Sequence, residues 1–144
     1  MAFFFVCGER QMDNKNNNTR VAKDSMGELL IDKTALHGAQ TQRAINNFPI
    51  SGRKMPETFI KALIEIKASA AKSNCSLKTI DPDVANAISE ACGELLADDG
   101  LMRHFPVDVF QTGSGTSSNM NANEVIGAIA SRILGSEVDA NDHV

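Results

Sequence analysis

The strongest pattern in the sequence is an apolar stripe of helical period in residues 56–74. Apolar side chains recur there at spacings of three and four residues, at Phe59, Leu63, Ile66 and Ala70. This spacing places them on one face of an α-helix. A second apolar set widens the stripe, at Ile60, Ile64, Ala68 and Ala71. We therefore expect this helix to be buried on most of its sides.

Start and stop signals predict two further long helices. Asp81 and Pro82 form an N-cap followed by proline at the first helical position, and Gly100 lies in a stop signal. Another helix is predicted to begin in or just after a polar stretch at residues 111–124 and to end at Gly135. Residues 38–47 have a helical composition, and residues 26–32 favour a short strand or extended arm. The predicted fold class is mainly α, with short extended segments near the N-terminus.

The beginning of the chain predicts a tail rather than part of the folded domain. Residues 13–18 are a polar, low-complexity run that cannot bury apolar surface. Residues 2–7 are apolar but too short for the hydrophobic region of a signal peptide, and no basic segment precedes them. We therefore expect a disordered or extended tail at residues 1–24, one domain at residues 25–144 and a cytoplasmic location.

Charge and composition argue against several classes of partner. The 14 Lys and Arg are outnumbered by 18 Asp and Glu, which gives a formal net charge of −4. Nucleic-acid binders usually carry a basic face, and the absence of Trp and Tyr removes the best residues for stacking on bases. No apolar run is long enough to span a membrane. The three Cys and three His lack metal-ligand spacing, so we predict no metal site.

The polar stretch QTGSGTSSNMNANE, residues 111–124, is the best candidate for a binding site. It matches neither a phosphate-binding P-loop nor a dinucleotide fingerprint nor a nucleophile elbow. Gly113 and Gly115 would let the backbone approach a ligand closely, and the surrounding hydroxyls would add donors. A helix N-terminus just after them favours an anion. The pattern fits a small-anion site, but it also fits a capped turn that binds nothing.

Five motifs in order resemble class II fumarase, the fumarate hydratase of the fumarase/aspartase superfamily. They are GAQTQR at 38–43, NFPI at 47–50, KMP at 54–56, the polar stretch at 111–124 and NDHV at 141–144. The resemblance covers residue 20 to the end. It implies that this chain is only the N-terminal domain of a longer, cytoplasmic, homotetrameric enzyme of the tricarboxylic acid cycle. Thr112 and Ser114 stand where aspartase-like members tend to have Gly and Ala, which favours the hydratase branch.

The resemblance implies reversible hydration of fumarate to L-malate, without a metal or another cofactor. The substrate is a small C4 dicarboxylate, and the matching positions place Ser114, Gly115 and Thr116 at one of its carboxylates. The catalytic base and further substrate-binding residues are expected beyond Val144, in a site built from several subunits. We therefore predict no catalytic residue within this chain and no activity from it alone.

Fumarases also have a second, non-catalytic dicarboxylate site on a His-Pro-Asn-Asp segment. The corresponding residues here are Asp139, Ala140, Asn141 and Asp142. Asp139 would add negative charge beside an anion, and Ala140 in place of proline loosens the backbone. These two departures weaken the expectation that the second site binds a dicarboxylate.

The remaining polar residues of the motifs are interpreted as structural. Asn119, Asn121 and Asn123 are expected to hold the polar loop in shape. Glu124, placed in the first turn of the following helix, is interpreted as a dipole or capping partner. Arg43 is expected to pin the N-terminal segment. The alternatives that remain are an aspartate ammonia-lyase of the same superfamily and a non-catalytic helical interaction module.

Overall fold

The computed structural model describes residues 18–144, which form a helical unit preceded by a β-hairpin. In chain order the elements are β1 (Thr19–Asp24), β2 (Gly27–Asp32), α1 (Ala39–Asn47), α2 (Glu57–Ser76), α3 (Pro82–Leu96), a 3-10 turn (Leu101–His104) and α4 (Thr116–Leu134). The mainly helical class predicted from the sequence is confirmed, with short extended segments at the N-terminal end.

The hairpin lies across the predicted boundary between tail and domain. β1 pairs antiparallel with β2, from Thr19 opposite Asp32 to Asp24 opposite Gly27. Gly27 has a φ of 115°, a conformation that a side chain would strain. Ala22 and Ile31 are buried in the hairpin and pack with Ala39 of α1. The rest of the predicted tail, residues 1–17, lies outside the described residues.

One main core joins α2, α3 and α4. Its largest fully buried side chains include Ile60 and Ile64 of α2, Ile88 and Leu95 of α3, and Ile126 of α4. The thiol of Cys92 belongs to this core, and burial raises its pKa to about 11. Ile88, Ala91, Cys92 and Leu95 form the buried face of α3, and Val84 is partly buried against the same core.

The prediction that α2 is buried on most of its sides is wrong for the part of the chain that the structure describes. α2 packs with one face, Ile60, Ile64 and Ala71, against the other helices. Phe59 and Ile66, two members of the predicted stripe, are 43% and 62% exposed. Periodicity identified a helix with two adjacent apolar faces but could not tell which one the domain covers.

The helix ends follow the local signals. Asp81 accepts a hydrogen bond at 2.8 Å from the backbone N–H of Asp83, which caps α3 at its N-terminus. α4 begins after Gly115 and ends before Gly135, and both glycines are left-handed, with φ of 77° and 76°. Such a glycine favours a sharp helix boundary because other residues adopt this conformation only with strain.

Candidate functional site

The start of α4 is held by the two residues that open the polar stretch. Gln111 accepts a hydrogen bond from the backbone N–H of Ser118 at 2.8 Å and donates one to the Ser118 hydroxyl, also at 2.8 Å. The Thr112 hydroxyl accepts a longer bond, 3.3 Å, from the backbone N–H of Ser117. Ser117 and Ser118 are buried. The backbone N–H groups of Ser117 and Ser118 are therefore bonded within the domain, by the side chains of Thr112 and Gln111 and not by an N-cap side chain.

Ser114 and Thr116 are arranged differently. Both are exposed, and their hydroxyl oxygens lie 2.8 Å apart in a hydrogen bond. Neither side chain caps α4, because the N-cap residue is Gly115, without a side-chain cap, and the first amides bond to Gln111 and Thr112. The two hydroxyls thus converge at the open N-terminus of a long helix, where the dipole favours negative charge.

The buried asparagines of α4 stabilise other segments than the polar loop they were expected to shape. Asn121 donates to the backbone oxygen of His104 at 2.9 Å, and Asn123 donates to that of Ala140 at 2.8 Å. Asn119 is only partly buried. The asparagines therefore fasten α4 to the 3-10 turn and to the C-terminal segment.

Glu124 is a capping residue, but for a different helix from the one expected. α4 starts at Thr116, so Glu124 lies well inside it rather than in its first turn. Its carboxylate accepts backbone N–H bonds from Gly38 at 2.8 Å, Gln40 at 2.9 Å and Thr41 at 3.1 Å. It thereby closes the positive end of α1, where the free amides would otherwise lack partners.

Arg43 connects α1 to the hairpin. It forms a bidentate ion pair with Asp24, from Nε at 2.7 Å and Nη2 at 2.9 Å, and Nη2 also donates to the carbonyl of Gly27. The hydrogen bonds from Arg43 keep the pKa of Asp24 below its usual value. This arrangement agrees with the structural role expected for Arg43, because the guanidinium bonds to Asp24 and Gly27, the two residues that flank the hairpin turn.

The residues matched to the second dicarboxylate site form a turn that is closed by the side chain of Asp139. Asp139 Oδ1 accepts the backbone N–H groups of Asn141 at 2.7 Å and Asp142 at 2.9 Å, and these bonds lower the pKa of Asp139. The carboxylate of Asp139 thus occupies amide donors that an external anion would need. The geometry and the two sequence departures therefore both argue against anion binding at this turn.

Asp108 is a structural residue beside the polar stretch that the sequence patterns missed. It leads into the polar stretch and accepts bonds from the Ser51 amide at 2.7 Å, the Ser51 hydroxyl at 2.8 Å and the amides of Gly52 and Phe110. Burial opposes its ionisation, but the bonds from Phe110, Ser51 and Gly52 outweigh burial and lower its pKa to about 2. Its partners at residues 51 and 52 are distant in sequence, so no local motif marks it.

An open cleft of about 940 Å³ brings several of these segments together. The hairpin and α1 line one part of it, and Thr112, Ser117, Glu124 and the turn at residues 139–141 line another. Ser114, Gly115 and Thr116 are not part of this lining. Ser114, Gly115 and Thr116 therefore lie at a helix end outside the cleft. Of the residues matched to the second dicarboxylate site, 139–141 line the cleft.

Within residues 18–144, no three His, Cys, Asp or Glu side chains converge in the manner of a metal site. Over the same range, no helix has both the length and the apolar character needed to cross a bilayer.

Comparison with known proteins gives consistent matches. Over 127 residues the chain is 60% identical to a class II fumarate hydratase of Pseudomonas aeruginosa, covering 88% of this chain and 28% of that protein. It is 52% identical to the class II fumarate hydratase of Xylella fastidiosa, over 94% of this chain and 28% of the relative. The chain thus spans less than a third of the length of these relatives.

Solved structures and a family model agree with the sequence matches. A class II fumarase from Schistosoma mansoni superposes with a TM-score of 0.81 at 38% identity, covering 87% of this chain and 28% of that one. A fumarate lyase/delta crystallin protein from Brucella melitensis gives the same TM-score at 40% identity, covering 87% and 29%. The resemblance to class II fumarases is therefore confirmed. Because the family model described as "Lyase" matches residues 27–144, the chain belongs to that lyase family.

Proposed function

We propose that this chain supplies part of the dicarboxylate site of a fumarate hydratase, which interconverts fumarate and L-malate. The observation that carries the proposal is the pair of exposed hydroxyls of Ser114 and Thr116, 2.8 Å apart at the N-terminus of α4. Gln111 and Thr112 already bond the next two amides of the helix, so this pair remains available to a ligand. The substrate carboxylate would accept from these hydroxyls and from the backbone around Gly115.

The chemistry of the reaction explains why such donors are needed. Removing a proton from the carbon beside a carboxylate builds extra negative charge on the carboxylate oxygens. Fixed donors aimed at that charge stabilise the transition state, and losing one such donor typically costs about 10²–10³ in kcat. A positioned base adds roughly 10²–10⁴ in rate. Ser114, Gly115 and Thr116 would contribute the first of these effects, and the base would come from outside this chain.

The whole enzyme would then be a cytoplasmic homotetramer of the tricarboxylic acid cycle whose site combines several subunits, without nucleic-acid or membrane partners. The identities of 60% and 52% to class II fumarate hydratases support this proposal. The chain spans only 28% of each of those relatives, so it would lack most of the catalytic machinery. We therefore expect that the isolated chain, when given L-malate, produces no fumarate absorbance above background. Turnover by the pure chain would contradict the proposed division of the site.

A chimera tests the function directly. Residues 27–144 of this chain would replace the aligned segment of the Pseudomonas aeruginosa relative. We expect the chimera to dehydrate L-malate, which is followed by the absorbance of fumarate, and to leave aspartate unchanged. Ammonia release from aspartate would instead favour the ammonia-lyase alternative. A folded, tetrameric chimera without either activity would contradict the proposal.

A matched pair of variants tests the proposed residues. In the chimera, Thr116→Val should lower kcat/KM by roughly a hundredfold, because it removes one donor to the developing charge. Thr58→Val is the control, since Thr58 is also an exposed threonine in the first turn of a long helix. Equal activity of the two variants would favour the non-catalytic interaction module.

A further inference from the structure

The second apolar face of α2 is exposed along the whole helix. Phe59, Ile66 and Leu77, the C-cap residue, are 43%, 62% and 72% exposed. They are spaced by seven and eleven residues, which is about two and three helical turns, so the three side chains share one side of the helix. From Phe59 to Leu77 this outer face of α2 is about 27 Å long.

No charged residue lies on the outer face of this described helix. Lys61, Glu65 and Lys72 follow a different spacing and lie on another side of α2. Lys67 borders the outer face, but its ammonium group is turned away and donates to the carbonyl of Val144 at 3.0 Å. Small, exposed side chains fill the outer face between the large ones, at Ala62, Ser69, Ala70 and Ser73. A contiguous apolar surface of this kind marks a site of contact with another protein surface.

The order of large and small side chains on the outer face is self-complementary. In two copies whose α2 helices run antiparallel about a two-fold axis near residue 68, Phe59 lies opposite the partner's Leu77. In the same arrangement Ile66 lies opposite the partner's Ala70, so each large isoleucine meets a small residue. A two-fold interface requires such a pattern, because one surface must fit a second copy of itself.

The hairpin offers a smaller exposed apolar group among residues 18–144. Val21 and Leu30 lie opposite each other on its outer side, and both are exposed. Lys23 and Glu28 occupy the next pair of positions on the same side and are exposed as well. The hairpin therefore presents one apolar pair beside charges, whereas α2 presents a continuous uncharged face.

We propose that the outer face of α2 is a contact surface between two copies of this chain, packed antiparallel about a two-fold axis. A standard interface buries about 800 Å² on each partner. A face about 27 Å long on a helix about 10 Å wide offers less than this area, so the dimer dissociates on dilution. The contact is separate from the proposed dicarboxylate site, because α2 carries neither residues 114–116 nor any residue that lines the cleft.

Sedimentation velocity of the 144-residue chain tests the dimer. From micromolar to millimolar concentration, we expect the sedimentation coefficient to rise from that of a monomer to that of a dimer. Ile66→Glu should raise the dissociation constant at least about tenfold, because the contact would bury two unpaired carboxylates. Glutamate favours helices and Ile66 is exposed, so circular dichroism should show an unchanged fold.

Leu30→Glu is the matched control, since it places the same charge on an exposed leucine of the hairpin. This variant should dimerise like the wild type. If Leu30→Glu weakens the dimer and Ile66→Glu does not, the hairpin is the contact surface and the inference is overturned.

A charge pair tests the antiparallel arrangement. Ile66→Glu chains and Ala70→Lys chains should each dimerise weakly when alone. In an equimolar mixture, the new carboxylate of one chain would face the new ammonium group of the other, so a heterodimer tighter than either homodimer should form. A mixture that associates no more tightly than the separate variants would overturn the antiparallel pairing.

A wild-type chain that stays monomeric at every concentration would overturn the inference as a whole. The outer face of α2 would then be left to the polypeptide that follows this segment in the longer relatives, of which this chain spans 28%. Neither result bears on Ser114 and Thr116, so the proposed function is decided separately by the chimera and its Thr116→Val variant.

Discussion

Gln111 bonds to Ser118 through both polar atoms of its side-chain amide, with the Oε1 acceptor 2.8 Å from the Ser118 backbone nitrogen and the Nε2 donor 2.8 Å from the Ser118 hydroxyl oxygen. A residue seven positions earlier in the chain thus stabilises the first turn of α4. This pairing is what leaves Ser114 and Thr116 available to a ligand, because the helix does not depend on them for its cap.

Gln111→Ala should therefore destabilise the domain. The loss of a side chain that caps helix amides costs about 0.5–2 kcal/mol. Urea unfolding followed by circular dichroism measures the change. Ser69→Ala is the control, because the Ser69 hydroxyl bonds to the carbonyl of Glu65 within the same exposed helix turn. If Gln111→Ala were as stable as this control, the assigned cap would be contradicted.

The two faces of α2 give a prediction about the core. Ile64→Ala removes a fully buried side chain and should cost about 2–5 kcal/mol of unfolding free energy. Ile66→Ala removes a side chain that is 62% exposed, and surface substitutions usually stay within about 0.5 kcal/mol. Chemical denaturation of both variants measures the difference. A larger effect at Ile66 than at Ile64 would mean that the buried face is the other one.

Arg43→Lys should loosen the hairpin without unfolding the helices. A lysine cannot form the bidentate pair with Asp24 and also reach the carbonyl of Gly27, because it lacks the planar fork of arginine. Amide hydrogen exchange should then accelerate in β1 and β2, with α2–α4 unchanged. Arg53→Lys, at an exposed loop position, should leave exchange in the hairpin at the wild-type rate. Slow exchange retained in both variants would contradict the clamp.

Asp108 makes stability depend on pH in a defined direction. Its pKa is lowered from 3.8 to about 2, so its contribution is fully present above pH 3.8 and is lost as the pH falls through about 2. Asp108→Asn should remove this contribution. The difference in urea midpoint between wild type and variant should therefore be large at pH 5 and shrink steadily toward pH 2. A difference that is constant over this range would show that the carboxylate charge is not involved.

The local signals in the sequence located the helices well, because they act between near neighbours. Asp81 and Pro82 predicted the start of α3, and Gly135 predicted the end of α4, since capping needs only a few consecutive residues. The polar residues around Gly115 likewise marked a helix N-terminus. The family resemblance, rather than the pattern itself, singled out Ser114 and Thr116 within that stretch.

Long-range contacts decided the rest. Two apolar faces on α2 were equivalent by period, and only packing against α3 and α4 selected Ile60 and Ile64 for the core. The position of Glu124 at the end of the polar stretch led to its interpretation as a capping acid. Its three amide donors, however, lie more than 80 residues away, at the start of another helix. Sequence alone therefore determined where α3 begins and where α4 ends, because those helix ends depend on near neighbours. Tertiary structure decided which faces and which carboxylates hold the segments together, because their partners meet only after folding.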